Sequence, residues 1–130
     1  MLFVNEREAL KLTGAKTAKA ALKVLGAKVN CAVVKRGANG AMAIQNEELF
    51  TDSGFRVKAI DTTGAGDSFD AGFLSAYLSK ETQQECLRVG NACGALSAIS
   101  IGGTAGQPTQ PALREFLRSG APSDQQAASK

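Results

Sequence analysis

Two glycines, separated by one alanine, constrain the fold of this chain more than any other feature. Residues Gly64-Ala65-Gly66 stand between a predicted strand, Arg56–Ile60, and a predicted helix, Asp67–Ser79. The first amides of a helix have no partner inside the helix, and they carry the positive end of its dipole. Glycines let an anion approach the backbone closely, so the sequence predicts an anion site at this junction.

A carboxylate, that of Asp67, stands at the same junction. Beside amides that hold a phosphoryl group, an aspartate can accept the proton of an attacking hydroxyl, a general-base role worth ~10²- to 10⁴-fold in rate. A purely structural interpretation also stays open. Asp is a favoured residue at a helix start, and Gly-Ala-Gly can form a simple tight turn.

Size and composition favour one globular domain. The chain has 130 residues, of which 44% are hydrophobic. The net charge of +3, the single Tyr and the absence of Trp argue against a nucleic-acid partner. No apolar run reaches the ~20 residues that cross a bilayer, and no secretory pattern opens the sequence, so we expect no membrane partner and a cytoplasmic protein.

The cysteines predict small core residues of a reducing compartment. There are three of them, Cys31, Cys86 and Cys93, and the chain has no His. Cys86 and Cys93 would lie about 10 Å apart along one helix, which is too far for a disulfide. Without His or a Cys-x-x-Cys pair, a structural zinc site is not expected.

The order of predicted elements indicates an α/β fold. A strand that ends at Val4 precedes a short helix with a capping box formed by Asn5 and Glu8. A glycine in the left-handed conformation is expected to close the second helix at Gly26. The remaining predictions are a first helix Glu6–Leu12, a second helix Thr17–Leu25, strands Asn30–Lys35, Ala41–Gln45 and Glu47–Thr51, and helices Gln83–Ile99 and Pro111–Arg118.

The run Asp61-Thr62-Thr63-Gly64-Ala65-Gly66-Asp67, followed by Phe69, resembles the C-terminal signature of the ribokinase family, also called pfkB carbohydrate kinases. The resemblance implies the C-terminal half of a three-layer α/β/α sandwich, with a mostly parallel sheet and an antiparallel hairpin. Residues 1–118 would form the nucleotide-binding and catalytic half of such a domain. Residues 119–130, rich in Ser, Ala and Gln, would form a disordered tail.

The same resemblance implies roles for individual residues. Asp67 would be the general base, and the amides of Gly64, Ala65, Gly66 and Asp67 would form the anion hole. Asn91 would lie against adenine, with an exposed helical Asn as the alternative. Nucleotide phosphates and ribose would contact Asn5, Lys35, Arg36, Gly37 and Gly40, although a capping box and a Gly-x-x-Gly turn explain these residues equally well.

Metal ligands are implied in the same way. Glu8 would help hold Mg²⁺, and Asp61, Thr63, Ser97 and Gly102 would bind a potassium-like cation. An Asx-turn at Asp61 is the structural alternative. Residues 98–101 replace the Thr-Arg pair of many family members, which puts the cation ligands between Ser97 and Gly103 in question.

The main functional hypothesis is ATP-dependent phosphoryl transfer to a hydroxymethyl group of a sugar or nucleoside, with ATP, Mg²⁺ and K⁺ as cofactors. The alternative is a truncated nucleotide-binding or non-catalytic module. Such a module would form a homo-oligomer through its exposed N-terminal edge, or pair with a missing N-terminal half that carries the sugar-binding residues. A third possibility, a purely structural domain, predicts no nucleotide affinity.

Overall fold

A computed structural model describes residues 1–99 and 109–119. The chain forms two compact units, Met1–Ser53 and Gly54–Lys130. The first unit supplies every strand of the sheet that the described residues form, and the helices of the second unit pack on one another. The boundary between the two units lies just before Arg56–Ile60. This segment was predicted to continue the sheet, and it does not form a strand.

The first unit is a four-stranded sheet with two helices. Its strands lie in the order β1-β2-β3-β4, with β1 parallel to β2 and the other two pairs antiparallel. The expected antiparallel hairpin is thus present, but one of the three strand pairs is parallel, so the sheet of the described residues is mixed where a mostly parallel sheet was expected. The elements are β1 (Leu2–Asn5), α1 (Glu6–Thr13), α2 (Ala18–Gly26), β2 (Cys31–Lys35), β3 (Ala41–Gln45) and β4 (Glu48–Asp52).

Helix α1 begins at Glu6 as the sequence predicted and ends at Thr13, one residue later than expected. Asn5 and Glu8 form the capping box, and Gly14 closes the helix in the left-handed conformation with φ of 73°. The prediction for Gly26 was wrong, because this residue is the last of α2 and does not have a positive φ. Its missing side chain serves packing instead, since a Cβ atom there would lie 2.6 Å from Cγ2 of Ile44.

The core of the first unit lies between the two helices and one face of the sheet. Alternate residues of β2 and β3 point to this face, and residues at helical spacing on α2 meet them. Each fully buried Leu or Ile contributes about 1.5–3 kcal/mol relative to an exposed one. The buried members are Val4, Ala9, Ala18, Ala21, Leu22, Leu25, Ala32, Val34, Met42 and Ile44.

Strand β4 begins one residue later than predicted. Asn46 and Glu47 both have positive φ, 53° and 67°, and form the two-residue turn between β3 and β4. Two consecutive left-handed residues match the twist of an antiparallel hairpin. Glu47 therefore belongs to the turn, and β4 runs to Asp52.

The second unit contains three described helices, α3 (Ala65–Leu78), α4 (Gln83–Ala98) and α5 (Gln110–Ser119). Small residues on α3 and α4 let the two helices approach closely. A Cβ atom on Gly72 would lie 2.6 Å from Sγ of Cys93. On α3, Phe69 and Phe73 are buried, with their ring centroids 6.2 Å apart, while Tyr77 is 37% exposed.

The predicted strand Arg56–Ile60 was wrong. These residues have no regular secondary structure. Apolar side chains of the segment, Phe55 and Val57, pack on α4 and α5, with the rings of Phe55 and Phe116 4.7 Å apart. The amides of Ile60 and Asp61 both donate to the carbonyl of Ala98, so helix contacts replace a strand ladder.

The last described helix is longer than predicted. It runs over Gln110–Ser119, so Ser119 is helical where the sequence placed the start of a tail. The predicted helix break at Ile101–Pro108 and the rest of the tail, 120–130, lie outside the described residues.

The three cysteines are buried thiols, which confirms their assignment to the core. Burial raises the pKa of the Cys31 thiol above its usual value and that of Cys93 to about 11. Both thiols therefore stay protonated, and poor nucleophiles, at neutral pH.

Candidate active site

The junction between Gly64 and α3 differs from the sequence prediction in the residue at which the helix begins. Helix α3 begins at Ala65, two residues earlier than expected, and ends at Leu78. Gly64 is the residue that starts it, in the left-handed conformation with φ of 80°. Its carbonyl accepts the amide of Ser68 at 2.9 Å, which closes the first helical turn. A glycine is needed here because a side chain is strained at this φ.

Only some of the N-terminal amides of α3 donate hydrogen bonds within the protein. Ala65 donates its amide to the carbonyl of Thr62 at 3.1 Å, so one of the four predicted anion-hole amides is engaged. Among the described residues, no acceptor takes the amides of Gly64, Gly66 or Asp67. Gly66 and Asp67 are exposed. The positive end of the α3 dipole is therefore open to an anion.

Asp67 is the third residue of α3, and it does not point into the packed interior. Its two neighbours on the C-terminal side, Ser68 and Phe69, are buried and hold the turn in place. The arrangement joins one exposed carboxylate to open amides within a single helical turn. A carboxylate there can accept a proton while the amides stabilise negative charge.

The loop before this junction is anchored at both ends. Oδ1 of Asp61 accepts the amide of Thr63 at 2.9 Å, which is the Asx-turn that the sequence offered as a structural explanation. The amide of Asp61 donates to the carbonyl of Ala98 at 2.9 Å. Asp61, one of the residues expected to bind a monovalent cation, thus lies next to the C-terminal end of α4.

Ser97 fits a role as an oxygen ligand at this end of α4. It is fully buried, and its Oγ has no hydrogen-bond partner within residues 1–99 and 109–119. Hard cations are bound by oxygen ligands, and a buried hydroxyl oxygen of this kind is such a ligand. Gly102, the other ligand expected from this region, lies outside the described residues.

Asn91 lies on α4 and is only 8% exposed. The alternative of an exposed helical Asn was therefore wrong. Small residues on α3 bring that helix close to α4 and bury polar as well as apolar positions.

The other predicted site residues gather in the first unit, at one end of its sheet. Asn5 and Lys35 are the last residues of the parallel strands β1 and β2, and they pair in register. Ligands commonly bind beyond the carboxyl ends of parallel strands. Two motifs that are 30 residues apart in sequence therefore lie side by side.

The Asn5 motif has a structural role in capping helix α1, in addition to any role in ligand binding. Oδ1 of Asn5 accepts the amide of Glu8 at 2.7 Å, and Oε1 of Glu8 accepts the amide of Asn5 at 2.9 Å. The capping box of the structural interpretation is thus present. Glu8 is exposed, so its carboxylate is also accessible to a metal ion or to bound water.

The turn between β2 and β3 carries the glycines of the second motif. Gly37–Asn39 form one 3₁₀ turn, and Gly37 and Gly40 have φ of 57° and 84°. The amide of Arg36 donates to the carbonyl of Gly40 at 2.8 Å, which closes the turn. Both glycines are explained by this backbone, and the turn presents the side chains of Lys35 and Arg36 near Asn5.

Glu6 was not predicted from the sequence as a site residue. Its Oε2 accepts a hydrogen bond from Nε of Arg36 at 3.3 Å, and the two charges form an ion pair. The signal was available, because Glu6 and Arg36 directly follow two strands that were both predicted. The parallel pairing that brings them together was not predicted residue by residue.

No group of three or more Asp, Glu or Cys side chains that could hold a metal ion occurs in the described part of the chain. A metal ion bound by the described residues would have at most two ligands of this kind, and hydroxyl or carbonyl oxygen, water or a substrate phosphate would complete its coordination. None of the described helices is both long and apolar enough to cross a membrane.

Comparison with known proteins decides the family. The model of the pfkB family carbohydrate kinases matches residues 1–110. The chain belongs to this family. A ribokinase from Haemophilus influenzae is 35% identical to it over 119 residues, which is 87% of this chain and 39% of the ribokinase. The chain thus spans about two fifths of such a pfkB kinase.

Solved structures of pfkB kinases confirm the α/β, ribokinase-like fold. An aminoimidazole riboside kinase from Salmonella enterica, complexed with aminoimidazole riboside and an ATP analogue, superposes with a TM-score of 0.79 and 30% identity, over 91% of this chain and 42% of its own. A fructokinase from Vibrio cholerae with bound fructose, ADP and calcium gives 0.80 and 32%, over 89% and 40%. The resemblance inferred from the Asp61–Phe69 signature is therefore confirmed.

Proposed function

We propose that this chain supplies the catalytic and nucleotide-binding part of an ATP-dependent kinase that phosphorylates a hydroxymethyl group of a sugar or nucleoside. The observation that carries the proposal is the exposed carboxylate of Asp67 beside the open amides of Gly66 and Asp67. Membership of the pfkB family supports the reaction class. Ribokinase, riboside kinase and fructokinase relatives support the substrate class.

In the proposed reaction, Asp67 accepts the proton of the hydroxymethyl group as its oxygen attacks the γ-phosphorus of ATP. A new oxygen–phosphorus bond forms, the bond to the bridging oxygen breaks, and ADP leaves. The amides of Gly64, Gly66 and Asp67 stabilise the charge on the transferred group, because no described protein acceptor competes for them. The amide of Ala65 contributes less, since it already donates to Thr62.

We assign nucleotide contacts to the corner where Asn5 and Lys35 end their strands. Lys35 and Arg36 would neutralise phosphate charge, and the backbone of Gly37 and Gly40 would lie along the phosphates and ribose. Asn91 would contact adenine. Mg²⁺ would add charge neutralisation when bound, with Glu8 near it, and K⁺ would take oxygen ligands from Asp61, Thr63, Ser97 and Gly102.

The experiment is sugar-dependent release of ADP from ATP by the purified chain, with ribose, fructose and a nucleoside as acceptors. Asp67→Asn keeps the size of the side chain and removes the base, so turnover falls by ~10²- to 10⁴-fold while ADP affinity is kept. The matched control is Glu81→Gln, an exposed charge in the connection between α3 and α4. Unchanged turnover in Asp67→Asn would contradict the proposal.

A second candidate is a nucleotide-binding module without turnover, which needs the remainder of a longer kinase or a second copy of itself. The observation in its favour is that the chain spans 39% of the ribokinase it matches. Strand β1 is an outer strand of the described sheet, and such an edge favours association. ADP affinity without turnover, together with a dimer in light scattering, would favour this candidate over the first.

A further inference from the structure

We propose that Glu6 is a positioning residue, which orients the guanidinium of Arg36 toward the phosphates of a bound nucleotide. The inference rests on the proposed function, because it takes the corner at Asn5 and Lys35 as the nucleotide site. It goes beyond that function by naming a residue whose own charge repels phosphate.

The strand pairing creates this contact. Glu6 directly follows Asn5 at the end of β1, and Arg36 directly follows Lys35 at the end of β2. Because Asn5 and Lys35 pair in register, the next side chain of each segment emerges at the same corner. Nε of Arg36 lies 3.3 Å from Oε2 of Glu6, and the side chains are 33% and 39% exposed.

The atoms involved determine what the contact does. A guanidinium has five N–H donors, and the pair with Glu6 uses the one on Nε. Within the part of the chain that the structure describes, no acceptor takes the two terminal nitrogens of Arg36. Those nitrogens form the donor pair that matches two oxygens of a phosphate.

The backbone supports the same orientation. The amide of Arg36 donates to the carbonyl of Gly40 at 2.8 Å, so its Cα is held by the closed turn. Glu6 is the first residue of α1, whose capping box fixes its position. With both ends of the side chain held, Arg36 loses less conformational freedom when a phosphate binds.

Charge and orientation predict opposite effects when Glu6 is replaced. If Glu6 mainly neutralised Arg36, its removal would strengthen the attraction for phosphate and ADP would bind more tightly. If Glu6 orients the guanidinium, loss of its acceptor oxygen weakens binding although the net charge becomes more positive. The sign of the change therefore separates the two roles.

The test is calorimetric titration of the full chain with ADP and Mg²⁺. Glu6→Ala should weaken ADP binding roughly three- to fivefold, the range of a partly exposed ion pair. Glu6→Gln should stay within about twofold of the wild type, since its amide oxygen still accepts from Nε. The double variant Glu6→Ala, Arg36→Gln should bind like Arg36→Gln alone, because Glu6 then has nothing to orient.

A matched control is Glu48→Gln, an exposed carboxylate at the opposite end of the sheet, where Glu48 pairs with Gln45. It removes the same charge and should leave ADP affinity unchanged. Circular dichroism on every variant establishes that α1 is still folded.

The outcomes are distinct. Unchanged or tighter ADP binding in Glu6→Ala, equal losses in Glu6→Ala and Glu6→Gln, or additive losses in the double variant would each overturn the role of Glu6 and leave nucleotide binding intact. Absence of ADP binding by the folded wild-type chain would instead overturn the nucleotide function itself, and the role of Glu6 with it.

Discussion

Asn5 and Lys35 lie opposite each other at the carboxyl ends of two parallel strands. Each is the last strand residue before a polar segment, α1 on one side and the Gly37–Asn39 turn on the other. A single pairing register thus brings the Asn5–Glu8 motif and the Lys35–Gly40 motif to one corner. Both motifs belong to the first unit, Met1–Ser53.

Glu8 allows its structural role to be separated from its proposed metal role. Glu8→Gln retains an oxygen that can accept the amide of Asn5, so the free energy of unfolding should fall by less than the roughly 1 kcal/mol expected for Asn5→Ala. The same substitution removes the carboxylate, so we expect the enhancement of ADP affinity by Mg²⁺ to be roughly tenfold smaller than in the wild type. Urea unfolding and calorimetry measure the two effects, and an unaltered Mg²⁺ dependence would contradict the metal role.

Gly64 should tolerate asparagine better than alanine. Its φ of 80° is left-handed, a conformation that costs about 1–2 kcal/mol for most residues and less for Asn. Gly64→Ala should therefore lower the free energy of unfolding by that amount, and Gly64→Asn by clearly less. Equal stability of the wild type and Gly64→Ala would show that α3 does not begin in this way.

Gly72 should not tolerate a methyl group. Its Cβ would lie 2.6 Å from Sγ of Cys93 and 3.2 Å from the carbonyl of Val89, so α3 and α4 would have to separate. Gly72→Ala should cost about 1–3 kcal/mol in chemical unfolding followed by circular dichroism. Ser75→Ala, at an exposed position one turn later, is the control and should change stability little. A neutral Gly72→Ala variant would contradict the close packing.

Because the thiol of Cys93 is buried, we predict that the free energy of unfolding falls at alkaline pH. Burial raises the pKa of its thiol from 9.0 to about 11, so the folded state keeps a proton that the unfolded state has already lost. The stabilisation is complete below pH 9 and disappears as the pH rises toward 11. The free energy of unfolding should therefore fall more steeply over this range in the wild type than in Cys93→Ala. Parallel pH profiles would contradict the prediction.

Local patterns were sufficient to predict most elements of the fold. Asn5 caps its helix as expected, the helix predicted from Thr17 forms from Ala18 with Thr17 as its cap, and the apolar runs around Val33 and Ala43 form strands. These features depend on neighbours in sequence, so a single sequence contains the information. The pfkB family followed from the residues of one loop, because that signature is specific.

Predictions that depended on distant partners were less successful. Arg56–Ile60 has the composition of a strand, but a strand forms only where another offers a ladder, and here Phe55 and Val57 pack on helices instead. Gly26 resembles a helix stop, yet its role is set by Ile44 on another element. The Glu6–Arg36 pair depends on strand register, which composition does not specify.

The candidate site was predictable as a set of residues and less so as a set of contacts. The sequence indicated that Gly64, Gly66 and Asp67 lie at one junction. The structure shows in addition that the amide of Ala65 donates a hydrogen bond to the carbonyl of Thr62. Such a bond follows from the exact start of α3, which sequence patterns locate only to within a few residues.

The central claim is that the open amides at the start of α3 receive the phosphates of a nucleotide. Its most direct test is to titrate the ¹⁵N-labelled chain with ATP and Mg²⁺ and to follow each assigned amide resonance. The N-termini of α2 and α4 provide internal controls, because the side chains of Thr17 and Thr82 already cap them. We predict saturable shifts for Gly66 and Asp67 that exceed those of Ala20 and Glu85. Equal shifts at all three helix starts, or none at Gly66 and Asp67 with nucleotide bound, would contradict the account.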